Sequence, residues 1–320
     1  MLKYIISNLY KKNRINWEED MEIPAFLIEM LNSQYGEEIT NKVLSGYKGK
    51  RAVTCRVNTL KSNLEEVAKV LREKNIEFET VPWYKDALII KNANEKDLSG
   101  LSIYENGEIY LQSLSSMLPP IILEPQEKEN ILDMAAAPGS KTTQIAAISN
   151  NKAYITACEM NAIRAERLKY NIDKQGVSGV YVMVKDARKL DDMFSFDKIL
   201  LDAPCSGSGT ISEDNKNLDK TFTLNLINKS SNTQKALLKK ALKLLKPGGE
   251  LIYSTCSILE SENEKVVIEV LKGTKAEIVP IQFKGIEYVP CLPVKIPGTI
   301  CVCPNDLFEG FFIAKIRLLK

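Results

Sequence analysis

Residues 131–186 read ILDMAAAPGSKTTQIAAISNNKAYITACEMNAIRAERLKYNIDKQGVSGVYVMVKD, and this stretch decides the fold. ILDMA is a short apolar run closed by small and turn-forming residues, which predicts a buried strand. TTQIAAI has the spacing of a helix, AYITACE that of a second strand, NAIRAERLKYNIDK a second helix and VYVMVKD a third strand. Strand and helix in strict alternation imply a parallel sheet with crossover helices on its faces. The alternation continues downstream through FDKILLDAP, a helix from Ser231 to Leu245, ELIYSTC, a helix around ENEKVVIEVLK and a last strand FFIAKIRL. The expected fold is α/β, a doubly wound, mostly parallel, Rossmann-like sheet, with Lys246 to Gly249 (KPGG) a turn feeding one of its strands.

Upstream the period changes. Phe26, Leu27, Met30 and Leu31 recur at helical spacing, predicting one or two short helices before residue 50. AVTCRVNTL then alternates like a strand, SNLEEVAKVLREKN reads as a helix capped by Ser62 or Asn63, and FETVPWY and DALIIK return to strand character. This predicts a small α+β module within residues 1–105, followed by the larger domain over 106–320.

Composition bounds the rest. The chain has 320 residues, of which 44% are apolar, enough for a packed core in one large or two ordinary domains. The N-terminal MLKYIISNLYKKNR lacks a long apolar region with a cleavage site, and no apolar run reaches a membrane span, so a cytoplasmic monomer away from membranes is expected. Seven cysteines at irregular spacing do not form a disulfide framework, and Cys291, Cys301 and Cys303 lack paired zinc spacing, so no metal is expected. With 43 basic and 41 acidic residues, whole-chain charge does not point to nucleic acid. Local patches would have to carry that: Lys48, Lys50, Arg51, Arg56 and Lys61 in one, Lys229, Lys235, Lys239, Lys240, Lys243 and Lys246 along one helix. For that helix a solvated surface is the simpler reading, and for Trp83, Tyr84 and Tyr110 core packing competes with base stacking.

The chemistry is read from strand ends. Asp133, Glu159, Asp186 and Asp202 close four successive predicted strands, and open α/β sheets bind ligands at such ends. AAAPGSKT, residues 135–142, offers small residues and a helix N-terminus, yet Ser140 separates Gly139 from Lys141, so it is not a GxxxxGK[ST] phosphate loop, and it has no GxGxxG. Four acids without a pyrophosphate cradle suit ribose hydroxyls, an adenine amine and an amino-acid ammonium, which together describe S-adenosylmethionine. Cys205 and Cys256 each follow a predicted strand, which places two thiols at one crevice. The chain has no histidine, so Ser-His-Asp and Cys-His systems are excluded.

In DMAAAPGSKT, DAPCSGSG, YSTCS, GFFIAK, RVNTLK and IYLQSLSSML the chain resembles the Sun/Fmu (RsmB/RsmF-like) family of RNA cytosine-5 methyltransferases, from about Arg56 to the end. The resemblance implies a class I methyltransferase domain using S-adenosylmethionine, preceded by an RNA-binding module. It implies that Cys256 attacks carbon 6 of a cytosine, Cys205 assists release of the product and Asp202 contacts the base. It assigns Ala135, Ala136, Ala137, Pro138, Gly139, Ser140, Lys141, Glu159, Arg164, Asp186 and Asp202 to the cofactor. Ribosomal RNA is the expected partner and transfer RNA the alternative. The chain departs from the family at Ala135 and Ser140, where Cys and Gly are usual, at Cys301 and Cys303 in place of Arg and Trp, and at Glu309 in place of Asp. A DNA enzyme is disfavoured, because its nucleophile would be Cys205. A non-catalytic RNA-binding assembly factor is the rival from another class, with a thiol-redox sensor behind it.

Overall fold

The computed structural model describes residues 23–212, 215 and 217–320; the reading of MLKYIISNLYKKNR falls outside them. Helices Ala25–Tyr35 and Glu37–Lys48 open the described chain, hinged at Gly36. Leu27 and Leu31 are fully buried, with Phe26 and Met30 packed against the same core.

β1 (Thr54–Val57), β2 (Phe78–Val81), β3 (Tyr84–Ile90) and β4 (Ile109–Leu111) form an antiparallel sheet in the order β2-β3-β1-β4. Helix Leu64–Glu73 starts at Asn63, whose side chain accepts the Glu66 N–H, and its Val67 and Leu71 pack on Cys55, Val57, Leu88 and Ile90. β4 lies beyond the expected boundary at 105/106 yet pairs with β1. The small sheet thus takes its edge strand from residues read as the larger domain.

Helix Leu114–Leu123 contains Pro119 and Pro120, and the sequence reading does not predict it. Prolines inside a helix leave carbonyls without donors. The Ser116 carbonyl, which Pro120 cannot serve, accepts Gln112 Nε2 at 3.1 Å, and the Met117 carbonyl accepts Gln144 Nε2 at 3.0 Å. A side-chain amide replaces the missing backbone donor at Ser116 and another adds a bond at Met117, which no local pattern announces.

The large sheet comprises β5 (Asn130–Asp133), β6 (Tyr154–Glu159), β7 (Val180–Val184), β8 (Phe196–Asp202), β9 (Leu245–Thr255), β10 (Ala276–Val279), β11 (Cys291–Leu292), β12 (Ile300–Val302) and β13 (Phe311–Leu318). Its order is β11-β12-β13-β9-β8-β5-β6-β7, with β10 also beside β13. β7-β6-β5-β8-β9 run parallel and β13 antiparallel to β9. Ile199 and Leu201 face one core while Leu200 faces the other, so both faces are covered and the strands read as continuous apolar runs. From β5 the chain turns to β6 on one side and later reaches β8 on the other. That switch point opens a crevice at the strands' carboxyl ends.

Two expectations change. The long helix spans Leu224–Leu244, not Ser231 onward, with Thr223 capping the Leu226 N–H. Its SSNTQ segment looks like a breaker in sequence, but Ser231 Oγ donates to the Ser261 carbonyl and Gln234 Nε2 to the Pro204 carbonyl. Lys246 to Gly249 lies within β9, where the register to β8 shifts, instead of forming a separate turn before it.

Candidate active site

β8 and β9 are parallel neighbours with Asp202 level with Ser254, so the segments that follow them emerge side by side. Cys205 and Cys256 lie there as half-buried free thiols, their sulfurs 2.7 Å apart. The hydrogen bond to Cys256, then burial, then the charge of Cys256 push Cys205 well above the usual thiol range.

Cys256 lines a crevice of about 510 Å³ together with Asp202, Lys141, Ser116, Glu309 and Phe311, and with Arg51, Tyr110 and Gln112 from the small module's side. Asp202 Oδ2 pairs with Lys141 Nζ at 2.7 Å, and Asp202 Oδ1 accepts Ser254 Oγ at 2.8 Å. Lys141 Nζ also donates to Ser116 Oγ at 2.9 Å. Burial, the largest single influence, lowers the Lys141 pKa, but the charge and hydrogen bond of Asp202 together with the charges of Asp133 and Cys256 outweigh it and hold the ammonium above its ordinary value. The resemblance assigns Lys141 to the cofactor loop; the structure sets it against Asp202 on the same crevice as Cys256.

The loop after β5 fits S-adenosylmethionine on three observations. Gly139 has φ +111°, and a Cβ there would meet Leu168 Cδ1 at 3.0 Å, so only glycine takes the turn comfortably. The helix that follows, Ser140–Ile148, has no side-chain cap and no acid in its first turn, leaving its first N–H groups open to a ligand. Glu159 is 3% exposed; its Oε1 accepts the Asn161 N–H and its Oε2 has only Arg164 Nη1, at 3.4 Å, so acceptor capacity remains for ribose hydroxyls. Arg164 in turn donates to the Ala137 carbonyl, and Asn171 to that of Pro138. Ala136 and Ala137 are buried against Ala157 and Leu168, so they pack the loop down. Ala135 is held by its N–H to Asp133.

The four strand-end acids divide. Both Asp186 oxygens are engaged by Arg188, whose hydrogen bonds lower the carboxyl's pKa. Asp133, 1% exposed, accepts Thr142 Oγ1 at 2.7 Å; burial pushes it up to about 6. It braces the loop from inside.

Of the basic patch, Arg56 is a correction: it is fully buried, donating to Gln112 Oε1 and Thr143 Oγ1, and cannot meet phosphate. Arg51 donates to the Ile211 carbonyl. On the lysine helix Lys229, Lys239 and Lys243 are exposed, in line with the solvated reading, while Lys235 pairs with Glu269 and Lys240 with Asp192; Lys246 lies on β9 and pairs with Asp197. Trp83 packs in the core against Tyr84 and Phe308. Cys301 and Cys303 are 1% exposed, so those departures fall on packing positions. Sequence reasoning missed Glu262, a fully buried carboxylate in a stretch, SENE, that reads as exposed charge.

The strand order and its crevice define the Rossmann-like methyltransferase fold. Solved relatives share it: a methyltransferase homolog protein from Pyrococcus horikoshii superposes with TM-score 0.78 at 31% identity, covering 93% of this chain and all of that one. NSun6 from the same organism, solved with SFG, gives 0.81 at 26% identity over 93% and 98%. Residues 120–317 match the family described as 16S rRNA methyltransferase RsmB/F, and 23–96 its ferredoxin-like domain. The chain belongs to the RsmB/F methyltransferase family. The tRNA (cytosine(49)-C(5))-methyltransferase of Pyrococcus abyssi is 40% identical over 275 residues, 82% of this chain and 86% of that one. Ribosomal RNA small subunit methyltransferase F of Shewanella piezotolerans is 39% identical over 278 residues, 82% of this chain but 56% of that one. The chain thus spans about half the length of that ribosomal RNA enzyme.

Proposed function

We propose that this protein methylates carbon 5 of a cytosine in RNA through a covalent bond from Cys256 to carbon 6 of the base. S-adenosylmethionine, held by the loop 135–141 and Glu159, would supply the methyl group. The observation that carries the reading is the Cys256 thiol, in contact with that of Cys205, on the crevice that also holds the Lys141–Asp202 ion pair.

Carbon 5 of cytosine is a weak nucleophile until a thiolate adds at carbon 6, and covalent addition splits one hard step into easier ones. Cys256 adds. Lys141, kept charged by Asp202, offers a proton or hydrogen bond to the ring as negative charge builds there, and Asp202 accepts from the exocyclic amine. While Cys256 is a thiolate, Cys205 holds its proton. Once the Cys256 sulfur is bonded to carbon its charge is gone, and Cys205 ionises more easily. It then accepts the carbon 5 proton, the carbon 5–carbon 6 double bond re-forms, and Cys256 leaves.

The substrate is ribosomal or transfer RNA. The family described as 16S rRNA methyltransferase RsmB/F supports the first, and the likeness to the transfer RNA enzyme of Pyrococcus abyssi supports the second. Purified protein is incubated with S-adenosylmethionine and each unmodified RNA, and protected cytosines are mapped by bisulfite sequencing. A single strong site in one RNA is expected; no protected cytosine in either would sink the reading in favour of a non-catalytic factor.

A further inference from the structure

Glu262 is fully buried just ahead of helix Glu264–Leu271, yet its carboxylate does not serve that helix. Its Oε1 accepts the Ser206 N–H at 2.7 Å, and its Oε2 accepts Ser206 Oγ at 2.5 Å and Ser257 Oγ at 2.7 Å. Ser206 follows Cys205 in the chain, and Ser257 follows Cys256. One buried side chain therefore clasps the residue next to each thiol. Every partner is a donor, which matches the acceptor-only inventory of an ionised carboxylate. Gln234 Nε2 closes the shell at 3.4 Å, and the Glu262 carbonyl is fixed by Tyr253 OH at 2.6 Å. The neighbouring Asn263 adds a bond to the Ser257 carbonyl and accepts Thr255 Oγ1, so the same short segment grips the Cys256 turn twice.

We propose that Glu262 is the positioning residue that sets the separation of the two thiols. Apart from the clasp, the loop after β8 and the turn after β9 share the backbone bond from the Gly209 N–H to the Cys256 carbonyl, the Ser208–Ser257 hydroxyl contact, the bond from the Ile258 N–H to Ser208 Oγ and the sulfur contact itself; of these, the first three join residues beyond the Cys205 position on its loop. Glu262 touches no reacting atom; it acts through the two serines. The carboxylate also lies among the charges that keep the proton on Cys205. This assignment rests on Cys256 and Cys205 being the reactive pair, and its test needs neither RNA nor cofactor.

The measurement is the rate at which the full-length protein closes a Cys205–Cys256 disulfide with oxidised glutathione. The two thiols give up two protons and two electrons, one oxidised glutathione becomes two reduced, and the linked peptides are counted by mass spectrometry. Ring closure depends on alignment to a fraction of an ångström, so Glu262→Ala slows it by about tenfold or more. Glu262→Gln keeps an oxygen for the Ser206 N–H and an amide for the two hydroxyls, and closes within about twofold of the parent. In single-turnover methylation Glu262→Ala lowers the rate without weakening cofactor or RNA affinity, and Glu262→Gln restores most of it. Should Glu262→Ala not fold, Ser257→Ala cuts one arm of the clasp and carries the same test. Closure at the parental rate in whichever of these folds overturns the proposal. Slowed closure in a protein that methylates no RNA would leave the clasp standing and remove the enzyme reading instead.

Discussion

At the scale of single residues, two sulfurs 2.7 Å apart do not both carry charge, because like charges at contact repel. The Cys205 thiol is pushed well above the usual range, which supports the proposed division in which Cys256 attacks and Cys205 acts after the adduct has formed. Cys205→Ala should therefore accumulate a covalent protein–RNA complex, seen as a retarded band on a denaturing gel, and Cys256→Ala should give none. The reverse pattern would exchange their roles. Asp133 carries a second consequence. Its folded pKa is raised, so the folded state binds its proton more tightly than the unfolded chain does, and stability from this group falls as pH rises from about 4 through about 6. The loss amounts to about 3 kcal/mol. Asp133→Asn, which still accepts from Thr142, should gain about that much relative to the parent between pH 4 and pH 7 in paired urea titrations; a pH-independent difference would refute the raised pKa. Both cysteines and these acids were legible in the sequence because they fall at the ends of apolar runs. That Asp133 turns inward was not, since the same strand-end position serves a loop brace and a ligand contact alike.

At the scale of elements, the loop carrying Cys205 is pressed onto the start of β13. The Gly209 N–H donates to the Cys256 carbonyl and the Gly310 N–H to the Gly209 carbonyl, and a Cβ on Gly209 would lie 2.0 Å from the Gly310 oxygen. Backbone cannot yield as a side-chain tip can. Gly209→Ala should cost on the order of 1–3 kcal/mol by thermal melting and displace the Cys205 loop, with methylation falling further than stability. An unchanged melting temperature would show that the two segments part easily. The alternation of strands and helices from β5 onward was readable because buried parallel strands leave continuous apolar runs between amphipathic helices. β10, β11 and β12 have two to four residues each, too few for a period to register. The proline-bearing helix and the Leu224–Leu244 helix also rest on side-chain bonds to partners distant in sequence, Gln144 to the Met117 carbonyl in the one and Ser231 and Gln234 to the Ser261 and Pro204 carbonyls in the other.

At the scale of the whole molecule, the small sheet and the large one meet through buried polar groups. Arg56 on β1 donates to Gln112 and to Thr143 on the helix that follows the cofactor loop, Gln112 donates to Gln144 on that same helix at 2.8 Å, and Asn58 donates to the Gly107 and Gln175 carbonyls. Arg56 thus spans the seam between the module that faces the crevice and the helix proposed to bind the cofactor. Burial lowers its pKa, and no ion pair with a carboxylate compensates it among the described residues; the Tyr110 ring lies 5.8 Å from its guanidinium carbon. Such a cation is held chiefly by its hydrogen bonds, each worth roughly 1.5–3 kcal/mol where a charged group is involved. Arg56→Met keeps much of the stem's volume and removes both bonds, so about 2–4 kcal/mol of stability should be lost. Because Thr143 sits one turn into the helix headed by Ser140 and Lys141, the loss should also weaken S-adenosylmethionine binding, although Arg56 does not line the crevice. Calorimetric titration of the folded variant checks this. Cofactor affinity equal to the parent's would mean that the small module and the cofactor helix share a boundary without sharing energy.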